Sequence, residues 1–234
     1  ATGGNRPAPR DDRPRMPLAA MRIEQVQRVL GEVLQWAQPA DAILSLWLRA
    51  NPKMGGRDRG EISEAVYDVL RHLRRYRRLA ETGVGSAARR LAVLGLAATI
   101  GQERLAEALQ PDENEWLSYA AKIDPATLSR EVRHSMPDWL AQRLGDHDEP
   151  ESLMQALNKP APLDLRANPL KVERDALLAV LREGPGARYA PEPMPYSPWG
   201  IRVAGHPPVN RWPQFENGSL EVQDEGSQLL SLLV

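Results

Sequence analysis

No cysteine occurs among the 234 residues. A disulfide framework, a thiolate metal site and a thiolate nucleophile are therefore excluded from this chain, and a reducing compartment fits. Long apolar runs are missing too: none approaches the roughly 20 residues that a membrane-crossing helix needs. The Arg- and Pro-rich amino end lacks the apolar core, about 7–15 residues, of a secretory signal. Together these absences give the expectation of a cytoplasmic protein. Glycine-rich dinucleotide or phosphate loops of recognised form are absent, and Gly55-Gly56 and Gly184-Pro185-Gly186 read as turns. The four His, at positions 72, 134, 147 and 206, are scattered without the spacing of a metal site.

Hydrophobic residues make up 42% of the chain, enough for one or two domains with real cores. The formal net charge of −1 hides a strong asymmetry. Residues 1–90 hold 17 Lys/Arg against 10 Asp/Glu, whereas residues 101–157 hold 5 against 12. A basic part beside an acidic part suits an anionic partner such as nucleic acid; two oppositely charged solvated faces are the alternative.

Residues 1–18, dense in Pro, Arg and Asp, are expected to be disordered. From Met21, apolar residues recur at three and four: Ile23, Val26, Val29-Leu30, Val33-Leu34 and Ala37, an amphipathic helix. Pro39 opens a second, with Ala42, Ile43, Leu46 and Trp47 as its buried stripe. The third is expected from about Asp58 to Ala80, with Ile62, Val66, Val69-Leu70, Leu73 and Tyr76 on the core face. Arg71, Arg74, Arg75 and Arg78 lie on the other side, where they could neutralise phosphates or simply face water. Leu91, Leu94 and Ala98 begin a helix apolar enough for the centre of a bundle. Further helices are expected at Gln102–Leu109, Asp112–Ile123, Pro125–Val132, Pro137–Leu144 and Pro150–Leu157, with Trp116 and Trp139 as core residues.

The texture changes near Asn158-Lys159-Pro160. Leu163, Leu165 and Ala167 alternate with polar residues, which predicts a strand ending at Pro169. A helix over Val172–Arg182 follows, then extended pieces at Arg188–Ala190, Gly200–Ala204 and Ser219–Gln223. The whole reads as a small α+β module after a helical domain. Asp224 and Ser227 suit a helix N-terminus, and nothing places a His and an acid beside Ser227, so it reads as a cap.

Several strings in this region resemble, in order and spacing, the bacterial Fmu/Sun family of ribosomal RNA cytosine-5 methyltransferases. They are Leu163-Asp164-Leu165-Arg166-Ala167-Asn168-Pro169-Leu170-Lys171, Ser197-Pro198-Trp199-Gly200-Ile201, Phe215-Glu216-Asn217-Gly218 and Glu221-Val222-Gln223-Asp224-Glu225-Gly226-Ser227-Gln228-Leu229. The helical part is similar to the family's leading domain, itself like the antitermination factor NusB, through Ala40–Leu44, Arg57-Asp58-Arg59 and Val66–Arg71. Pro169 departs from the family, whose members usually carry Thr there.

The resemblance implies an S-adenosylmethionine-dependent enzyme whose cysteine thiolate attacks C6 of cytosine, a group this chain lacks. The implied fold is mainly α, a NusB-like helical bundle over 19–157, followed by a small α+β RNA-binding module over 158–218. Residues 219–234 would be the first strand and helix start of a Rossmann-like catalytic domain otherwise absent from the sequence. The implied partner is ribosomal RNA, met by Arg71, Arg74, Arg75, Arg78, Arg166, Asn168 and Lys171, with Gln223, Asp224, Glu225 and Ser227 at the edge of the cofactor domain. S-adenosylmethionine would belong to the parent protein, with no cofactor, metal or catalytic residue expected in this chain. The alternative is a free-standing NusB-like RNA-binding, antitermination or protein-interaction module.

Overall fold

The computed structural model describes residues 17–205 and 207–233, so the expectation for residues 1–18 falls, up to residue 16, outside the described residues, as does His206. The chain divides into two compact units, one ending at Asn158 and the next beginning at Lys159.

The first unit is helical. Helix α1 (Leu18–Val33) and α2 (Ala40–Ala50) each follow a proline, Pro17 and Pro39, whose fixed φ suits the entry to a helix. Then come α3 (Gly56–Arg71), α4 (Leu73–Ala80), α5 (Ala87–Ile100) and α6 (Pro111–Lys122). Shorter helices close the unit: α7 (Arg130–Arg133), α8 (Asp138–Gly145) and α9 (Pro150–Leu157). Leu91 to Leu96 of α5 are all buried, so this helix is apolar around most of its circumference and forms the centre against α1 and α3. Gly95 permits the closest approach. A Cβ there would lie 2.5 Å from Val69 Cγ2 and 2.9 Å from the Ala65 carbonyl oxygen.

Charged staples tie the helices together. Arg22 of α1, 1% exposed, donates to the carboxylates of Asp58 and Glu61 on α3 and to Gln25. Burial works against ionisation of Glu61, but hydrogen bonds from Arg104 and Arg57 and the nearby Arg22 outweigh it and lower its pKa. Arg89 of α5 grips Glu113 of α6 through two bonds, 2.5 and 2.9 Å. Those bonds lead the causes that hold the Glu113 carboxyl below its ordinary range.

Several expectations need correction. The helix expected over Asp58–Ala80 breaks at His72 (φ −109°, ψ 21°). Asp68 bridges the break, accepting from the Tyr76 hydroxyl at 2.6 Å and lying 3.1 Å from His72 Nδ1. Leu46 is 54% exposed while Leu44 is buried, so the α2 stripe is turned by a residue. Ala98 is exposed. Trp116 is in the core, its indole N–H donating to the Leu79 carbonyl, but Trp139 is 64% exposed. Helix α8 spans about two turns and buries Ala141 with Met136 and Met154, which leaves Trp139 off that face. In place of Gln102–Leu109 and Pro125–Val132 stand single 3₁₀ turns at Ala106–Ala108 and Pro125–Thr127, with α7 after the second.

The second unit runs β1 (Leu163–Ala167), α10 (Arg174–Glu183), β2 (Glu192–Pro193), β3 (Gly200–Val203), α11 (Pro213–Glu216), β4 (Leu220–Val222) and α12 (Glu225–Ser231). Its sheet has the order β2-β3-β1-β4 with every neighbouring pair antiparallel. This β-α-β-β-α-β arrangement is the ferredoxin-like split βαβ, with its second helix reduced to one turn. Leu165, Ala167, Ile201, Val203 and Leu220 pack against Leu177, Leu178 and Leu181 of α10. Arg188–Ala190, expected as extended, lies in a 3₁₀ turn at Ala187–Tyr189. The strand within Ser219–Gln223, expected to open a further domain, instead completes this sheet: Leu220 faces Ala167, and Val222 faces Leu165.

Candidate nucleic-acid interface

In the helical unit the four arginines singled out by pattern divide into two pairs. Arg74 donates to the Met136 carbonyl at 2.8 Å and pairs with Asp138 at 2.6 Å. The backbone N–H of Arg75 donates to the Ser135 hydroxyl at 3.0 Å, and its Nε is buried without a partner among the described residues. The Arg74 side chain and the Arg75 backbone therefore hold the segment between α7 and α8, whose Ser135 adopts a left-handed backbone, φ 51°. Arg71 stays half-exposed at the end of α3, and Arg78 is exposed and paired with Glu81. Arg77, which the pattern did not single out, is also exposed. The break at His72 re-phases α4 relative to α3, so a single helical wheel drawn across both misassigns the ridge. Arg77 and Arg78 are its exposed basic groups, with Arg71 half-exposed beside them.

In the second unit, β1 carries Arg166 on the face opposite Leu165 and Ala167. Its guanidinium lies 5.1 Å from the centroid of the Trp199 ring, and Nη1 is 3.5 Å from Glu221 on β4. Its Nε is buried without a partner among the described residues. Asn168 and Lys171 do different work. Asn168 donates to the Gly218 carbonyl (3.0 Å) and accepts from the Leu170 N–H (3.1 Å), while Lys171 Nζ donates to the Asn217 carbonyl (2.5 Å). They clamp the turn at Gly218, whose φ of 73° favours glycine. Arg166 and the exposed Lys171, whose ammonium spends one of its three N–H groups on Asn217, both retain donors for an outside acceptor.

Gln223, Asp224, Glu225 and Ser227 are brought together with a residue the site reading left out, Gln228. Asp224 caps α12, accepting from the Ser227 N–H (3.0 Å) and hydroxyl (2.5 Å), and those bonds lower its pKa. One Glu225 oxygen accepts from the N–H groups of Tyr196 (2.8 Å) and Ser197 (2.9 Å). Gln228, fully buried, accepts from the Ser197 hydroxyl (2.6 Å) and donates to the carbonyls of Leu165 (3.2 Å) and Gln223 (2.8 Å). Beside them, Arg202 grips Asp164 at 2.8 and 3.0 Å, which raises the Arg202 pKa, while the Gln223 N–H donates to the Asp164 carbonyl at 3.1 Å. This polar cluster locks α12 onto the sheet. No local pattern signalled the buried amide, since α12 mixes Glu225, Ser227 and Ser231 with Leu229 and Leu230.

Known proteins share parts of this chain. The family model described as "Methyltr_RsmF/B-like, ferredoxin-like domain" matches residues 136–210. The protein named Ribosomal RNA small subunit methyltransferase B from Photorhabdus laumondii is 34% identical over 104 residues, 44% of this chain and 24% of that protein. Its namesake in Shigella flexneri is 33% identical over 107 residues, 43% of this chain and 23% of the relative. The chain thus spans about a quarter of the length of these relatives. A crystal structure of PH0851 superposes with a TM-score of 0.55 at 16% identity, covering 92% of this chain and 55% of the other, a likeness of fold.

Proposed function

For a chain that belongs to the Fmu/Sun family, we propose the role of the RNA-binding, substrate-positioning part of a ribosomal RNA cytosine-5 methyltransferase, inactive alone. In this reading residues 19–157 form a NusB-like helical domain. The Lys159–Val234 unit is the RNA-binding module, with β4 and α12 built into it. The observation that carries the proposal is the match of the ferredoxin-like family to a unit of that topology, in a protein whose relatives are named as small-subunit ribosomal RNA methyltransferases. Half-exposed Arg71 and exposed Arg77 and Arg78 supply phosphate-binding charge, and Arg166 stacked on Trp199 offers further guanidinium donors. Target RNA would be ribosomal.

S-adenosylmethionine is the methyl donor implied by the family. The residues expected at the cofactor edge do not form a cradle for it: Asp224 and Ser227 are spent on the α12 cap, Glu225 on two backbone N–H groups and Gln228 on three internal bonds. With no cysteine in the sequence, this chain cannot supply the thiolate of the family's reaction. Transfer is therefore assigned to the parent protein.

The test is RNA binding by fluorescence anisotropy across a salt series. Affinity is expected to fall steeply with salt, by a slope of about 0.7 per phosphate neutralised on a single strand. Replacing Arg71, Arg77 and Arg78 by Ala should weaken binding and flatten that slope; Arg74 is left intact because its side chain holds Met136 and Asp138, and Arg75 because its Nε is buried. Unchanged affinity would remove the basic helix from the interface. Methyl transfer to cytosine by the purified chain would overturn the assignment as inactive.

A further inference from the structure

A half-enclosed polar depression of the helical unit lies between α4 and α6, away from the arginines of the basic ridge apart from Arg78. It has a volume of about 430 Å³, within the range of small-ligand sites, about 300–1,000 Å³. The cleft is large enough for one nucleotide and too small for a duplex. Leu79 and Ile123 give it apolar lining, and Arg78, Tyr119, Lys122 and Asp124 give it polar lining.

Three features fit these walls to an unstacked base with its phosphates. Tyr119 leaves 60% of its surface exposed, although a solvent-facing ring on α6 gains nothing from the core on the other side of that helix, where Trp116, Leu117 and Ala120 are buried. Lys122, one turn further along the same face, has no ion-pair partner among the described residues, and Arg78 stands on the facing helix in an exposed pair with Glu81 that an RNA phosphate would replace. The third wall, residues 124–128, is held in advance. Arg133 donates to the carbonyls of Pro125 (3.0 Å), Leu128 (3.0 Å) and Ala126 (3.3 Å), and the Asp124 carboxylate caps the turn through the Ala126 N–H (2.9 Å). An aromatic face between two cations is how proteins bind single strands without reading sequence: stacking on the ring and phosphate contacts beside it.

We infer that this cleft is a single-nucleotide subsite for single-stranded RNA, with Tyr119 as the stacking platform and Arg78 and Lys122 as the phosphate contacts. The inference rests on the RNA-binding reading above and adds to it a place and a mode. It also predicts a preference for unpaired over duplex RNA, because a paired base cannot enter the cleft.

The experiment uses the full chain and a fluorescein-labelled single-stranded RNA of about 12 nucleotides, followed by anisotropy. Tyr119→Ala should weaken binding about 5- to 100-fold, the range set by loss of one base stack, while Tyr119→Phe keeps the platform and should bind like the parent. Lys122→Ala should weaken it and reduce the salt slope by about 0.7, one phosphate's worth. Circular dichroism establishes that each variant is folded, which the exposure of both side chains favours. A 4-thiouridine version of the RNA should crosslink to the peptide containing Tyr119. If the parent chain binds RNA but both alanine variants bind equally well and crosslinks fall elsewhere, the cleft is not an RNA subsite, as would follow if it held a peptide, and the general RNA-binding role survives. If the parent chain binds no RNA, that role and the subsite fall together.

Discussion

The two units solve the same stability problem with different materials. The helical unit buries a long run of aliphatic side chains around α5 and adds arginine–carboxylate staples between helices. The ferredoxin-like unit has fewer buried residues and gives a buried amide, Gln228, a central place in its terminal helix. A small core leaves each polar contact a larger share of the total, because total stability is itself only about 5–15 kcal/mol. That difference says where single substitutions should matter most.

The largest effect is expected from Gln228→Ala. It strips partners from the Ser197 hydroxyl and two carbonyls in a buried setting, and should cost about 3 kcal/mol. Urea denaturation followed by fluorescence measures the loss, and hydrogen exchange should rise first in α12. In the helical unit, Gly95→Ala tests the close approach of α5 to α3. Its Cβ meets a backbone oxygen, so about 2 kcal/mol should be lost despite the better helix propensity of Ala.

Next comes the staple between α5 and α6. Glu113→Gln should cost about 1.5 kcal/mol at neutral pH, below the figure for a fully buried pair because Arg89 keeps some solvent contact. The Glu113 pKa is depressed in the folded state, so its contribution is present above the ordinary carboxylate range and is lost as pH falls through the lowered value. Thermal melts of parent and variant should therefore converge in acid. Convergence on raising the pH instead would contradict the staple. The smallest effect belongs to Trp139→Ser, below about 0.5 kcal/mol in the same denaturation assay, since the ring is mostly in water.

Much of the fold was legible in the residues. The three- and four-residue spacing of Ile23 through Val33 gave α1, the unbroken apolar character of Leu91–Leu96 gave a central helix, and alternation in Leu163–Ala167 gave β1. The misses have specific causes. The break at His72 leaves no proline or glycine behind, being a local departure bridged by Asp68, so periodicity runs through it. Trp139 has the composition of a core residue on a helix too short to bury two faces. The candidate interface was less legible than the fold: charge identified a basic helix, but the Arg74 guanidinium is consumed by Met136 and Asp138, some 60 positions away, and Arg75 meets Ser135 through its backbone N–H. Tyr119 and Lys122 share a helical face, yet only α4 opposite them makes that face a cleft.

By itself the sequence determined that no thiolate is available in this chain and that its first part is helical, because composition and short-range periodicity are local properties; its last part carries strings that resemble the Fmu/Sun family. Tertiary structure decided what those strings do. Asn168 and Lys171 clamp a turn, Glu225 and Gln228 lock a helix, and the strand beginning at Leu220 completes the ferredoxin-like sheet, since hydrogen bonds between residues 28 to 63 positions apart depend on which backbone groups the fold brings together.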